Sequence, residues 1–555
     1  MTTLGALLRK DLRMALGVQR LLREQSLFKI AFILVFATGL VGGLWALFLE
    51  GFRFLSALGG MGLMLVSRLF ALFFLGLLWM LILSGAVTAY TTFYRSEETA
   101  FLLLKPVPIG ELVLYKFAQS SFYDSWAFFF TIVPFVGAYA WHERLPLFFS
   151  VWTFVFAVPL VLLCTGIGAL ACLALARWMP RGRWLVIGGV VAFAVAFVWL
   201  SRTMAVAAAE PDEPALLLTR LVPGLRVASN PLWPSWWIAE GIMALTRGQW
   251  GRGFMLWGVL AANVAMVGLM VESVGRRLFV PGWQRVHFAG TQAARRAALF
   301  RPLERALGRL PSDVRGLVLK DLRTFCRDPA QWSQGVIFFG LLALYFLNLR
   351  SLRYHLLPQE WRNLIAFLNV FSVSAVMCSF GSRFVYPQLS LEGHGFWIIG
   401  LSPTTMRRVL ATKFGLASAA MVVVSAGLMC LSTRMLAVPV AVRLVAMAIA
   451  VAMSFAISGL STGLGAIFMD RKQQNPAAIV SGFGGTLNLV LSLVYLCSVI
   501  APFGTVFHLH FIGHVPAAEL PRLLAFCSAW LVAVTAVAVR TPLALGARSL
   551  RAQEY

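Results

Sequence analysis

The chain has 555 residues, 60% hydrophobic and only 12% charged, and its 47 Lys+Arg against 22 Asp+Glu leave a formal charge of +25. Ordinary soluble domains carry roughly 25% charged residues, so a soluble globule is excluded and a polytopic helical membrane protein is expected. The seven cysteines show no CxxC or metal-type spacing, which argues against a disulfide framework or a zinc site.

Residues 1–28 hold Arg9, Lys10, Asp11, Arg13, Arg20, Arg23 and Glu24 ahead of any apolar run, and no small-residue cleavage site follows a short hydrophobic region. No cleaved signal peptide is expected. The segment Leu7–Arg13 has the basic and apolar faces of a helix lying in the inner-leaflet interface. Apolar runs then follow at 30–49, 69–93, 112–138, 147–176, 184–200 and 253–271, each close to the roughly 20 residues that carry a helix across a ~30 Å hydrocarbon core.

Between the second and third runs, Ser96–Leu104 opens with a polar turn containing Glu97 and Glu98, continues with apolar side chains from Phe101, and meets Pro106 and Pro108. That order predicts a short helix, favoured at its start by the dipole and ended by proline. Asp124 lies about halfway along the third run, where a charge costs roughly 2.5–3.5 kcal/mol. It reads either as part of a substrate or ion pathway or as a hydrogen-bonding partner of neighbouring helices. Residues 201–252, with several prolines and Trp233, Trp236 and Trp237, read as short helices at the outer face, serving as an external gate or as an interfacial aromatic belt. The Arg- and Ala-rich segment 273–333 reads as a cytoplasmic connection.

A second series of runs lies at 334–349, 363–382, 409–433, 444–469, 477–501 and 522–539. Three local patterns recur in the same order in both series. Leu7–Arg13 matches Leu317–Arg323, including Lys10-Asp11-x-Arg13 against Lys320-Asp321-x-Arg323. The spacing Glu97-x3-Phe101-x6-Pro108 with Lys116 matches Glu392-x3-Phe396-x6-Pro403 with Lys413, and Thr165–Ala169 matches Thr462–Ala466. The expected fold is therefore all-α, with about twelve transmembrane helices arranged as two parallel six-helix repeats. The halves would span 1–285 and 311–555, joined by a cytoplasmic linker at 286–310. An even number of spans per half puts both termini on one side. With that side cytoplasmic, 33 of the 47 basic residues fall inside, as the positive-inside rule requires. The charge is thereby accounted for by topology and anionic lipid, with no nucleic acid needed.

No lysine follows a glycine anywhere in the chain, so a GxxxxGK[ST] phosphate-binding loop is absent. His508, His510 and His514 cluster near the last extracytoplasmic loop without an obvious carboxylate and read as solvated residues, so no metal site is expected. The short helix at 97–104, and its counterpart at Glu392 with Phe396-Trp397-Ile398-Ile399 ended by Gly400 and Pro403, present an aromatic anchor to the cytoplasm. Such a helix suits docking into a partner's groove, with lipid headgroups as the alternative surface.

The chain resembles the permease subunits of type 2 ABC transporters, the ABC-2 exporter family, in the fused twelve-span form. The resemblance rests on the Lys-Asp-Leu-Arg helices, the Glu-bearing loops after the second and eighth runs, the Gly463–Ala466 stretch continuing to Gly484-Gly485, and Pro234-Ser235-Trp236-Trp237 before the sixth run. It implies a bacterial inner-membrane permease that is not itself an enzyme. Two copies of a separately encoded ATPase, carrying the ATP and Mg, would dock on coupling helices formed by Glu97, Glu98, Phe101 and Pro108 and by Glu392, Phe396, Trp397 and Pro403. The helices bearing Lys10, Asp11, Arg13, Lys320, Asp321 and Arg323 would be connecting helices. An ion-coupled secondary transporter with parallel repeats is the alternative, though Asp124 stands almost alone as an intramembrane ionisable residue.

Overall fold

The computed structural model describes residues 3–16, 27–57, 60–178, 228, 230–288, 304–305, 307–327, 359–435, 440–471, 479–480, 482–511, 513–516 and 518–552. Among these residues the regular secondary structure is helical, and no strand occurs. The helices are α1 Thr3–Leu16, α2 Leu27–Ala57, α3 Gly60–Tyr90, α4 Glu97–Leu103, α5 Ile109–His142, α6 Leu147–Trp178, α7 Pro234–Thr246 and α8 Trp250–Phe288. They continue with α9 Ser312–Arg327, α10 Gln359–Phe380, α11 Phe396–Gly400, α12 Met406–Met435, α13 Val440–Ile467, α14 Phe483–Phe511 and α15 Leu520–Ala552.

Eight of the described helices are long and apolar enough to cross a membrane: α2, α3, α6, α8 and α12–α15. They coincide with eight of the twelve predicted runs. The runs at 184–200 and 334–349 lie outside the described residues. At 112–138 and 363–382 the chain is helical, as α5 and α10, but neither is among the eight. In α5 the apolar stretch is limited to Phe128–His142, because Lys116, Ser120, Ser121 and Asp124 occupy its first half.

The chain forms two compact units, the first drawing its described residues from 1–296 and the second from 297–552. In the first unit α6 packs along both α3 and α8, while α5 lies against α2 and α6. The core there is aromatic: Phe73 stacks on Phe135 at 3.7 Å between centroids, and Phe70 approaches both Phe135 and Tyr139 at 4.8 Å. In the second unit α13 is central, packed against α12, α14 and α15.

Small residues set how closely these helices approach. A Cβ on Gly168 of α6 would lie 2.6 Å from the backbone of Ile82 and Ala86 in α3, and one on Gly463 of α13 would lie 2.4 Å from the backbone of Pro542 in α15. The Thr-Gly-x-Gly-Ala patterns at 165–169 and 462–466 are thus close-packing surfaces of the kind that lets membrane helices approach.

Candidate functional site

In both units the helix preceding the Glu-bearing loop ends in a wide π-helical turn, at Thr91–Arg95 after α3 and at Gly381–Val385 after α10. Such turns insert an extra residue and concentrate at functional sites. Phe93 and Tyr94 are buried against Phe279 of α8, at 6.0 and 5.7 Å between centroids. In the second unit Phe384 and Tyr386 are buried, and a Cβ on Gly465 would lie 2.4 Å from the Tyr386 carbonyl oxygen. Each loop is therefore fixed where it leaves the bundle.

Beyond the first turn, Ser96 in extended conformation opens the seven-residue α4. The Thr99 hydroxyl donates to the Thr92 carbonyl at 2.9 Å and ties α4 back to the π-turn. Pro106 and Pro108 supply no N–H, so the helix stops and α5 begins after Pro108. The predicted short helix is present. The second loop reaches its glutamate later: Glu98 lies three positions past Arg95, Glu392 seven past Val385. Short 3-10 turns at Tyr386–Gln388 and Ser390–Gly395 take up the extra length, with a kink at Gly393, whose φ of 55° suits glycine. Five-residue α11 then follows, as the apolar run after Glu392 predicts.

Each glutamate is gripped by two lysines from different helices. Lys116 of α5, 0% exposed, donates to Glu98 Oε2 at 2.6 Å and to Gln119 Oε1 at 2.9 Å. Lys10 of α1 pairs with Glu98 Oε1, which also accepts from the Tyr115 hydroxyl at 3.0 Å. In the second unit Lys413 of α12, 2% exposed, donates to Glu392 Oε1 at 2.7 Å and to Asp321 Oδ2 at 3.1 Å. Lys320 of α9 pairs with the same Glu392 oxygen and lies 3.2 Å from Asp321 Oδ1. Two constructions of the same kind result: a lysine from the helix leading each unit, a glutamate from the loop, and a buried lysine from the next long helix.

The electrostatics follow from the geometry. Burial alone would raise the Glu98 carboxyl, but hydrogen bonds from Lys10 and Lys116 outweigh it and hold the group down at about 2. Glu392 is likewise held below its usual value, burial being overcome by the Lys413 and Lys320 charges. Lys10 is raised, the pull of Glu98 exceeding the cost of its partial burial.

The structure shifts the register that spacing suggests. Spacing pairs Glu97 with Glu392 and Phe101 with Phe396; the contacts pair Glu98 with Glu392, and the buried residue four positions on is Leu102 in one loop and Phe396 in the other. In α4, Glu98 and Leu102 stand at positions i and i+4 on one helical face, so the carboxylate meets the lysines where the hydrophobe meets the core. In the second loop the kink at Gly393 separates Glu392 from Phe396, and the same four-residue offset is reached without a continuous helix. Phe101 falls on the other face, 58% exposed beside Leu104, whereas Phe396 is fully buried and Trp397, Ile398 and Leu401 are the exposed residues. The side chain of Glu97 lies outside those described. Pro108 and Pro403 are exposed in the stretches leading into α5 and α12. Arg13 is exposed on α1, and Arg323 pairs with Glu304.

Asp124 is buried in α5, its Oδ1 accepting from Ser84 at 2.5 Å and Thr88 at 3.4 Å, both on α3, while its Oδ2 has no hydrogen-bond partner. The position eight past Lys413 is Met421, also buried. His510 Nδ1 lies 2.9 Å from the Val515 carbonyl oxygen, close to exposed His508 and His514. Among the described residues no group of three His, Cys, Asp or Glu is arranged to hold a metal.

The sequence pattern of the family described as "Putative ATP-binding cassette" matches residues 21–555. The chain belongs to that family. No curated protein and no solved structure matches it. Membership corrects the assignment drawn from loop motifs: short patterns such as Lys-Asp-Leu-Arg and Glu-x3-Phe pointed to a type 2 ABC permease, and the match over nearly the whole chain places it instead among ATP-binding cassette proteins. The expectations of a permease subunit without a nucleotide site, of a non-enzyme and of no bound cofactor are overturned with it.

ATP is the group that this membership implies. A P-loop cradles phosphate with a glycine-rich turn between a strand and a helix, with lysine directly after glycine. No lysine follows glycine in this chain, and among the described residues there is no strand. The residues present do not fit a P-loop, and no chemical step at a bound nucleotide follows from them.

Proposed function

We infer that this chain is a membrane-embedded member of an ATP-binding cassette transport machine, working in a bacterial cytoplasmic membrane, with the two lysine–glutamate clusters transmitting nucleotide-dependent movement into its helices. The observation that carries this reading is that Glu98 joins α1, α4 and α5, and that Glu392 joins α9, the loop before α11 and α12. A push on either loop is passed to two helices through ion pairs containing a buried lysine. The repetition of this construction also supports two six-helix halves and twelve spans, with N- and C-termini and both loops cytoplasmic.

The exposed Phe101 and Leu104 on one loop, and Trp397, Ile398 and Leu401 on the other, are the surfaces for ATP-binding cassette domains. Aromatic and aliphatic anchors of this kind carry much of the energy at protein interfaces. The test is ATP turnover and 8-azido-ATP photolabelling of the full chain, purified from its host membrane into nanodiscs. Denaturing gels then show which polypeptide holds nucleotide. The wild-type preparation is expected to turn over ATP. A Leu104→Asp/Trp397→Asp variant should lose turnover while still folding, and Glu98→Gln/Glu392→Gln should uncouple turnover from movement of α5 and α12 followed by site-specific spin labels. Absence of both turnover and labelling in the wild type overturns the reading.

A further inference from the structure

We propose that Asp124 is a proton-binding site at which uptake and release of one proton close and open the crossing of α3 and α6. Asp124 is 4% exposed, and its Oδ2 borders Gly85 of α3 where that residue meets Thr165 of α6. Both positions lie well inside helices long and apolar enough to cross a bilayer. Oδ1 accepts from the Ser84 and Thr88 hydroxyls, whereas Oδ2, equally buried, has no partner. The hydroxyls beside this crossing are committed elsewhere: Thr165 donates to the Val161 carbonyl at 2.9 Å, and Ser121 pairs with Thr165 at 2.8 Å. Among the described residues no cation pairs with Asp124.

A carboxylate buried without a counter-ion costs far more than a neutral carboxylic acid with one unpaired O–H. A cation must therefore accompany it, and the packing selects which. A Cβ on Gly85 would lie 2.9 Å from Thr165 Cα and 3.4 Å from Asp124 Oδ2, so α3 and α6 touch beside the carboxyl and leave no room for a hydrated metal ion. Nor, among the described residues, do three His, Cys, Asp or Glu gather to hold one. A proton needs no such room, and with Oδ1 accepting two hydroxyls it sits on Oδ2.

Charged groups on the elements around α5 stand toward its ends. Glu272 and Arg276 of α8 flank Gly110, Lys10 of α1 and Lys116 of α5 hold Glu98, and exposed Arg95 closes the π-turn. On α2, Glu50 and Arg53 pair with each other next to Phe52, which packs on Phe135 and Tyr139. From α6 the titratable neighbour is the buried Cys164 thiol. On release the proton leaves Oδ2 for water, and the remaining carboxylate needs donors that the closed crossing does not supply. Water reaches it when α3 and α6 part at Gly85.

The experiment is infrared difference spectroscopy of the full chain in nanodiscs, titrated from neutral to alkaline pH. Near neutral pH the wild type should show the carbonyl band of a protonated carboxylic acid that Asp124→Asn lacks. Ser84→Ala, which removes a hydrogen bond to Oδ1, should move that band to higher frequency. Absence of an Asp124-dependent band near neutral pH overturns the site, and loss of the band on adding sodium chloride assigns the carboxylate to a metal cation and overturns it equally. Opening is read on Cys164, by N-ethylmaleimide labelling mapped by mass spectrometry, with buried Cys378 of the second unit as the internal reference. Cys164 should be protected while the band is present and labelled once alkaline pH removes it, and Asp124→Asn should keep it protected throughout. Protection of Cys164 after the band is lost overturns the coupling. Should Asp124→Asn fail to fold, the frequency shift in Ser84→Ala decides, and an unmoved band overturns the assignment to Asp124.

Discussion

Lys116 Nζ lies 2.6 Å from Glu98 Oε2, with the lysine wholly buried and the carboxylate at the edge of solvent. The other hydrogen bond of Lys116 is to neutral Gln119, so Glu98→Ala strands a buried cation. We expect a loss of roughly 3–5 kcal/mol, with most of it recovered in Glu98→Ala/Lys116→Met, where both charges leave together. Chemical denaturation in detergent measures both.

Glu392→Ala should be milder. Lys413 retains Asp321 at 3.1 Å after Glu392 is removed, so its charge stays paired and the cost is about 1–3 kcal/mol. A loss equal to that of Glu98→Ala would show that Asp321 does not share the buried charge.

The carboxylates also set an acid limit. Glu98 is held at about 2 in the folded chain against an ordinary value of 4.5. A depressed group stabilises the fold fully above its unfolded value, and that contribution is lost as pH falls through the folded one. Stability should therefore decline between about pH 4.5 and 2, with a shallower slope in Glu98→Gln, followed by thermal unfolding across that range.

How far the sequence discloses this arrangement differs from loop to loop. Helix α4 is legible because a polar turn, an apolar run and two prolines leave the backbone little choice, and α11 follows from its apolar run. The partners of the two glutamates are not. The pairing of Glu97 with Glu392 satisfies residue spacing, but it ignores the π-turns and 3-10 turns that change how many residues each loop spends before its glutamate meets lysine. Burial of Phe396 beside exposure of Phe101 has the same origin, since one position moves a helical residue about 100° around the axis. Eight of the apolar runs are legible from hydropathy alone. Helix α5 falls short on that measure because Lys116 and Gln119 of the first cluster, together with Asp124, make its first half polar.

Gly463→Ala should cost at least about 1–3 kcal/mol through overpacking, because its Cβ would meet the Pro542 backbone at 2.4 Å. Gly39→Ala, with nothing within 4 Å, should gain up to about 1 kcal/mol from helix propensity alone. Comparing melting temperatures of the two variants in detergent separates close packing from backbone entropy.

Asp124→Asn keeps an acceptor for Ser84 and should change stability by less than about 1 kcal/mol, while Asp124→Ala leaves the hydroxyls of Ser84 and Thr88 without it and costs about 1–3 kcal/mol. If Asn and Ala variants unfold alike, the hydrogen bonds from α3 contribute nothing.

The wide turns at 91–95 and 381–385 each hold a residue that regular α geometry would place elsewhere. Passing that residue onward would advance the chain by only about 1.5 Å but swing everything beyond it through about 100°. A helix end built this way acts as a screw of very shallow pitch: it converts a small axial displacement into a large change in which side chains meet the next surface. Phe101, on the short helix that directly follows the first wide turn, stands where such a rotation would be read, whereas the 3-10 turns and the Gly393 kink separate Trp397 from the second.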